Sequence, residues 1–133
     1  MSADGTAGVE QLLAAARAGL ARVEPEVARA EAAQGAVIVD IRDERRVAAE
    51  GAIPGARRIS RNVLEWRLDP ACTDADRTIA RPGARVILVC DERYQSSLAA
   101  ATLRGFGIDA TDVIGGFRAW QAGGLPVVAA APE

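Results

Sequence analysis

Two short apolar runs dominate the hydrophobic pattern of the chain. Residues 36–41 read AVIVDI and residues 85–90 read RVILVC, and both are rich in β-branched side chains with no alternating polar positions. Runs of this kind are typical of strands buried on both faces of a parallel sheet. Weaker runs at residues 56–59 and 110–114 predict two further strands, and residues 125–128 lead into an extended end.

Helix-forming segments alternate with these runs. The pattern predicts helices over residues 9–19, 25–35, 63–68, 96–106 and 117–123, with Pro25 as a first helical residue and Ser96 or Ser97 as a cap. Residues 69–85 are polar and contain two prolines, which predicts a connection, and the charged segment after residue 41 receives no helix. The alternation favours an α/β fold with a parallel sheet covered on both faces. We expect an N-terminal helical extension (1–24), one domain (25–129) and a frayed end (130–133).

The composition removes several classes of chemistry. The 133 residues fit one domain, and their net charge of −2 with scattered basic residues gives no nucleic-acid footprint. No membrane span or signal peptide is apparent, so we expect a cytoplasmic protein. All sixteen basic residues are arginine, so neither a histidine base nor a lysine Schiff base is available. Two cysteines, Cys72 and Cys90, fit neither a disulfide framework nor a zinc site, and no metal or cofactor is predicted.

Cys90 is the candidate nucleophile. It ends the second strong strand and precedes a short loop and a helix, and ligand sites in parallel sheets lie beyond the carboxyl ends of the strands. Backbone N–H groups of such a loop and the N-terminus of a helix favour a sulfur anion, which needs no histidine. Asp91 and Glu92 oppose the anion, while Arg93 either offsets them or is a solvated side chain. The plainer alternative is a buried structural cysteine.

Three ordered segments resemble the signatures of the rhodanese-like domains, a family of sulfurtransferases and sulfur carriers. They are VDIRDERRVAAEGAIPGA at residues 39–56, CDERYQSS at 90–97 and DVIGGFRAWQAGGLPV at 112–127. The resemblance covers residues 25–127 and implies a five-stranded parallel sheet with helices on both faces.

The resemblance also implies a mechanism. Cys90 would be the catalytic residue, taking sulfane sulfur from thiosulfate or a persulfide and passing it to a thiol or cyanide acceptor. The family pattern implies that backbone amides of the loop hold the outer sulfur, namely those of Asp91, Glu92, Arg93, Tyr94, Gln95 and Ser96. Arg46 matches an anion-binding arginine of some members, with an exposed helix arginine as the alternative. Asp40 and Arg42 match a structural pair. The implied partners are a small-molecule or protein sulfur donor and a thiol acceptor.

The sequence departs from the family pattern in three places. Ala52 replaces a histidine before Ile-Pro-Gly-Ala, Arg93 stands where many loops carry glycine, and Asp91 with Glu92 makes the loop acidic. The acidic pair predicts that thiosulfate is a poor donor and favours a protein or low-molecular-weight persulfide.

The sequence leaves two other functions open. A phosphatase or arsenate reductase needs an arginine soon after the cysteine, and Ser96 and Ser97 supply none. The other function is an interaction or regulatory module with little turnover. Cys72 is expected to be an ordinary loop thiol, with a resolving role as the alternative. Trp66 and Trp120 are expected to pack helices on the sheet. Arg58, Arg61 and Arg67 are expected to be solvated, or else to rim a pocket.

Overall fold

The computed structural model describes residues 8–91 and 94–130. Its strands are β1 (Val37–Asp40), β2 (Arg57–Arg58), β3 (Arg85–Val89) and β4 (Asp109–Asp112). Its helices are α1 (Val9–Ala18), α2 (Pro25–Ala33), α3 (Glu44–Glu50), α4 (Leu64–Leu68, after a 3-10 turn at Arg61–Val63), α5 (Gln95–Arg104) and α6 (Gly116–Ala122).

The four strands form one parallel sheet in the order β2-β1-β3-β4. Successive side chains of a strand point to opposite faces, and here both faces are buried. Val86 and Leu88 belong to a core with α4 and α5, while Ile87 and Val89 belong to a second core with α2 and α6. The predicted α/β fold with helices on both faces is therefore confirmed.

The resemblance implied five strands, whereas residues 8–91 and 94–130 form a sheet of four. At the free side of β4 the chain forms only a one-residue bridge, in which Val23 N–H donates to Asp112 O (3.1 Å) and Ile114 N–H donates to Val23 O (2.8 Å). Pro25 follows two residues later as the first residue of α2 and has no N–H to donate. The segment thus turns into a helix before a second pair of ladder bonds can form.

Helix α3 lies in the charged segment for which no helix was predicted. The Asp43 carboxylate accepts a hydrogen bond from the Arg45 N–H (2.7 Å), which satisfies one of the free donors of the first turn. Val47 is the buried residue of this helix, so there is almost no apolar stripe to detect. The aspartate cap was the available signal.

Helix α1 packs against α5. Leu13 is its buried residue, and Arg17 Nε donates to Ser97 Oγ on α5 (2.9 Å). Over residues 8–91 and 94–130, no helix is long and apolar enough to cross a membrane.

Candidate active site

Cys90 directly follows β3 at the carboxyl edge of the sheet. It is only 7% exposed, and its Sγ lies 3.2 Å from Ser96 Oγ in the first turn of α5. The strand fixes the position of the cysteine, and the helix brings a hydroxyl to its sulfur.

Ser96 and Ser97 are not caps, which corrects the prediction from the sequence. Tyr94 occupies the N-cap position without a side-chain hydrogen bond. Both serines are buried and donate to Oδ2 of Asp112, at 2.8 Å and 2.7 Å. Because Asp112 ends β4, each serine side chain ties the first turn of α5 to the sheet and does not cap the backbone N–H groups of the helix.

Asp112 also binds Arg22, a residue for which no role was predicted. Arg22 Nε donates to Oδ1 (2.8 Å) and Nη2 to Oδ2 (3.2 Å), in the segment before α2. The bidentate pair neutralises a carboxylate that is fully buried. Asp112 is a charged residue inside the strand predicted over residues 110–114, which was a sequence signal, but its partner is ninety positions away.

The N-terminus of α6 holds the start of the cysteine loop. Phe117 N–H donates to Cys90 O (2.8 Å), and Arg118 N–H donates to Asp91 O (3.1 Å). Gly116 makes this approach possible, since a Cβ at its position would lie 2.5 Å from Cys90 O. Its φ of +59° also lies in the left-handed region.

Asp91 lies between two arginines. Arg46 Nη1 is 3.2 Å from Asp91 Oδ2, and Arg118 Nη2 is 3.3 Å from Asp91 Oδ1. Glu50 pairs with the same two arginines. The structure therefore brings Arg46 to the loop, although this half-exposed side chain is engaged by a carboxylate. Arg118 was missed by the sequence reasoning, despite lying within the third signature.

The loop after Cys90 carried several expectations from the sequence. Glu92 and Arg93 lie outside the described residues, so the expectations placed on them are untested. Tyr94 and Gln95 are exposed at the start of α5. The role of the loop amides of Asp91, Tyr94, Gln95 and Ser96 in holding a sulfur stays a prediction.

Asp40 and Arg42 form the pair that the resemblance implied. Arg42 Nη2 donates to Asp40 Oδ2 (2.7 Å), and the same nitrogen donates to Gly51 O (2.9 Å). The guanidinium carbon of Arg42 lies 3.6 Å from the ring centroid of Phe117. This buried pair therefore links β1 to α6 below the cysteine loop.

An open cleft of about 1100 Å³ begins beside the loop, at Gln95 and Leu98 of α5. Arg58, Arg61 and Arg67 line it, which fits the alternative that they rim a pocket. Trp66 is 57% exposed and also lines the cleft, so its predicted packing role is wrong. Leu64 and Leu68 share the buried face of α4, and Trp66, two residues from each, lies on the opposite face. Trp120 is buried as predicted.

The ionisable side chains of Asp76 and Arg85 have clearly shifted pKa values. The hydrogen bond from the Thr78 hydroxyl is the main cause that holds the pKa of Asp76, at the edge of the cleft, below its ordinary value; Arg57 adds to it. The hydrogen bond to Glu31 raises the pKa of Arg85, at the opposite end of the sheet. Both shifts have the direction expected for a group that is paired with an opposite charge.

Cys72 and Cys90 are both free cysteines and form no disulfide. Cys72 lies in the connection between α4 and β3, where its carbonyl accepts a hydrogen bond from Arg77 Nη2 (2.8 Å).

Residues 24–123 match the family model described as "Rhodanese-like domain". The chain belongs to the rhodanese-like family. It is similar to the thiosulfate sulfurtransferase GlpE of Pseudomonas entomophila, with 35% identity over 102 residues, 76% of this chain and 84% of that protein. The GlpE of Pseudomonas fluorescens is 37% identical over 102 residues, 75% of this chain and 84% of its own. These relatives confirm a sulfurtransferase-type enzyme.

Solved structures support the same fold. A protein of unknown function from Rhodopseudomonas palustris, described as a possible tyrosine phosphatase, has a TM-score of 0.82 and 30% identity, covering 96% of this chain and 98% of its own. The polysulfide-sulfur transferase homodimer of Wolinella succinogenes has a TM-score of 0.72 and 25% identity, with coverage of 87% and 83%. The similarity to the former covers α1 as well as the sheet.

Proposed function

We propose that this rhodanese-like chain transfers sulfane sulfur through a persulfide on Cys90. The observation that carries the proposal is the position of Cys90 Sγ, at the carboxyl edge of the sheet, before the loop, and 3.2 Å from a buried hydroxyl. Histidine and lysine are absent from the chain, so a thiol is the nucleophile that fits this edge.

The transfer has two steps. The Cys90 thiolate attacks the outer sulfur of thiosulfate, the S–S bond of thiosulfate breaks, and sulfite leaves with the electron pair. An acceptor thiolate or cyanide then attacks the outer sulfur of the Cys90 persulfide, and the Cys90 thiolate leaves. Each step exchanges one bond to sulfur for another, so no external oxidant or reductant is needed. Covalent storage divides one transfer into two displacements.

Thiosulfate is the first donor to test, with a persulfide as the second. The acidic loop argued against an anionic donor, but Arg46 and Arg118 offset the charge of Asp91. The adjoining cleft is lined by five arginines and five carboxylates, so the charge of its lining neither favours nor opposes an anionic donor. The name of the GlpE relatives supports the same donor.

The first prediction is a covalent adduct on Cys90. Incubation with thiosulfate should raise the intact mass of the protein by one sulfur atom, because the persulfide stays on the enzyme until an acceptor arrives. Cys72→Ser is the matched control and should keep the adduct, whereas Cys90→Ser should lose it. If neither thiosulfate nor a persulfide donor gives a Cys90-dependent adduct, the proposal is wrong.

The same preparation separates the alternatives. A phosphatase would release phosphate from a phosphate ester in a Cys90-dependent manner, but Ser96 and Ser97 are committed to Asp112 at the place where an arginine would grip the oxyanion. An interaction module would form the adduct slowly or not at all and would show no turnover with cyanide.

A further inference from the structure

The hydroxyl of Ser96 has one proton and two neighbours that can accept it. Asp112 Oδ2 lies 2.8 Å away, and Cys90 Sγ lies 3.2 Å away on the other side. While Ser96 donates to Asp112, its oxygen can only accept from Cys90, which suits a thiol. To stabilise the sulfur as an anion, the hydroxyl has to turn and donate to it.

Asp112 can release this hydrogen bond without becoming unpaired. Its carboxylate is fully buried, yet it keeps the hydroxyl of Ser97 (2.7 Å) and two bonds from Arg22 (2.8 and 3.2 Å). Arg17 Nε in turn donates to Ser97 Oγ (2.9 Å), which directs the hydroxyl proton of Ser97 toward Asp112. Because these donors remain, rotation of the Ser96 hydroxyl away from Asp112 has a small free-energy cost.

We propose that Arg22 and Asp112 are a positioning pair that controls, through the Ser96 hydroxyl, whether the Cys90 sulfur is held as a thiol or as an anion. Asp112 draws the proton away from the sulfur, and Arg22 weakens that pull by neutralising the carboxylate. The inference rests on Cys90 as the nucleophile of the proposed function. It assigns a role at the reactive centre to a residue of the N-terminal segment.

Among the residues that the structure describes, the other charges near Cys90 are paired. Asp91 on the loop is paired with Arg46 from α3 and Arg118 from α6. Arg17 from α1 acts through Ser97, and Arg22 from the segment before α2 acts on Asp112. A change in the Arg22–Asp112 pair should therefore reach the sulfur without being offset by these described groups.

The test is the pH profile of Cys90 alkylation by iodoacetamide in the full chain, read by intact mass with Cys72→Ser as the background. Removing a nearby negative charge favours the anion, so Asp112→Asn should move the midpoint of the profile to lower pH by about one unit. At a pH below the midpoint, the same shift appears as alkylation that is about tenfold faster. Arg22→Gln should move the midpoint to higher pH, while Arg22→Lys, which keeps the charge, should restore most of the shift.

Ser96→Ala tests the route. Loss of the hydroxyl donor should move the midpoint to higher pH. In the Ser96→Ala background, Asp112→Asn should shift the midpoint by less than half as much as it does in the wild-type chain, because the hydroxyl transmits most of the effect. Ser97→Ala, which removes one donor from Asp112 and no charge, should act like Arg22→Gln but more weakly. It also serves if an Arg22 variant fails to fold.

Opposite shifts from Asp112→Asn and Arg22→Gln support the pair. Shifts in the same direction, or an unmoved midpoint with only a lower melting temperature, would show a purely structural role and overturn the inference. Alkylation requires no sulfur donor, so failure of the proposed function would appear only in the thiosulfate adduct and not in this profile.

Discussion

Gly116 shows how one residue without a side chain can shape the site. The α6 N-terminus reaches the carbonyls of Cys90 and Asp91 only because the backbone at Gly116 can come within contact distance of them. The two hydrogen bonds that result fix the first peptide units of the cysteine loop. The N-terminus of α6 therefore binds the loop backbone, whereas the contact to the Cys90 sulfur comes from Ser96 on a different helix, α5.

Gly116→Ala should disrupt this arrangement. The added methyl would lie 2.5 Å from Cys90 O, so the loop must move, and the positive φ adds about 1 kcal/mol or more of strain. We expect a loss of roughly 2 kcal/mol or more in the free energy of unfolding, from strain and overpacking together, and at least a tenfold slower sulfur transfer. Urea unfolding and a thiosulfate–cyanide assay measure the two effects.

Gly124→Ala is the matched control for this change. Gly124 also has a positive φ (+71°), but a Cβ there would meet nothing within 4 Å. It should cost the strain alone and leave transfer unchanged. Equal effects of the two substitutions on transfer would contradict the role assigned to Gly116.

At the scale of elements, what the sequence could predict depended on burial. The runs over β1 and β3 were recognisable because both of their faces are buried, and α2 and α5 were recognisable from their formers and ends. Helix α3 was not predicted because Val47 is its one buried residue, so the sequence shows no apolar stripe there. The position of Cys90 after a predicted strand marked it as the nucleophile, the resemblance added Arg46, and the structure places both at one edge of the sheet.

The remaining features of the site depend on partners far apart in the chain. Ser96 and Ser97 carried a strong local signal for a helix cap, and the tertiary bond to Asp112 overrode it. Arg22 had no distinguishing local pattern among sixteen arginines, and the third signature did not mark Arg118 as a partner of Asp91. Long-range charge pairing of this kind is not encoded in spacing or periodicity.

Helix α1 offers an internally controlled test of element packing. Leu13 is buried against the rest of the chain, while its neighbour Leu12 is 55% exposed. Leu13→Ala should lower the free energy of unfolding by about 2–3 kcal/mol, the cost of a cavity under a helix that can partly relax. Leu12→Ala should change it by less than about 0.5 kcal/mol. Equal effects in urea unfolding would show that α1 does not dock through Leu13.

For the whole molecule, the division into an extension (1–24) and a domain (25–129) remains a proposal, and the contacts of the extension refine it. The family model begins at residue 24, yet Val23 bridges the free side of β4 and Arg22 neutralises a carboxylate inside the domain. The segment 20–24 is therefore part of the closed sheet edge. Helix α1, in contrast, is attached through a single face.

Two truncations separate these contributions. A chain beginning at Leu20 loses α1 but keeps Arg22 and Val23, so it should fold with a lower melting temperature and the association state of the full chain. A chain beginning at Pro25 also leaves Ile114 N–H and Asp112 O unpaired at an open strand edge, and such edges pair with other chains. Sedimentation velocity should show association that increases with protein concentration in the shorter chain alone. Indistinguishable sedimentation and stability of the two would mean that the domain begins at Pro25 and needs no cover on β4.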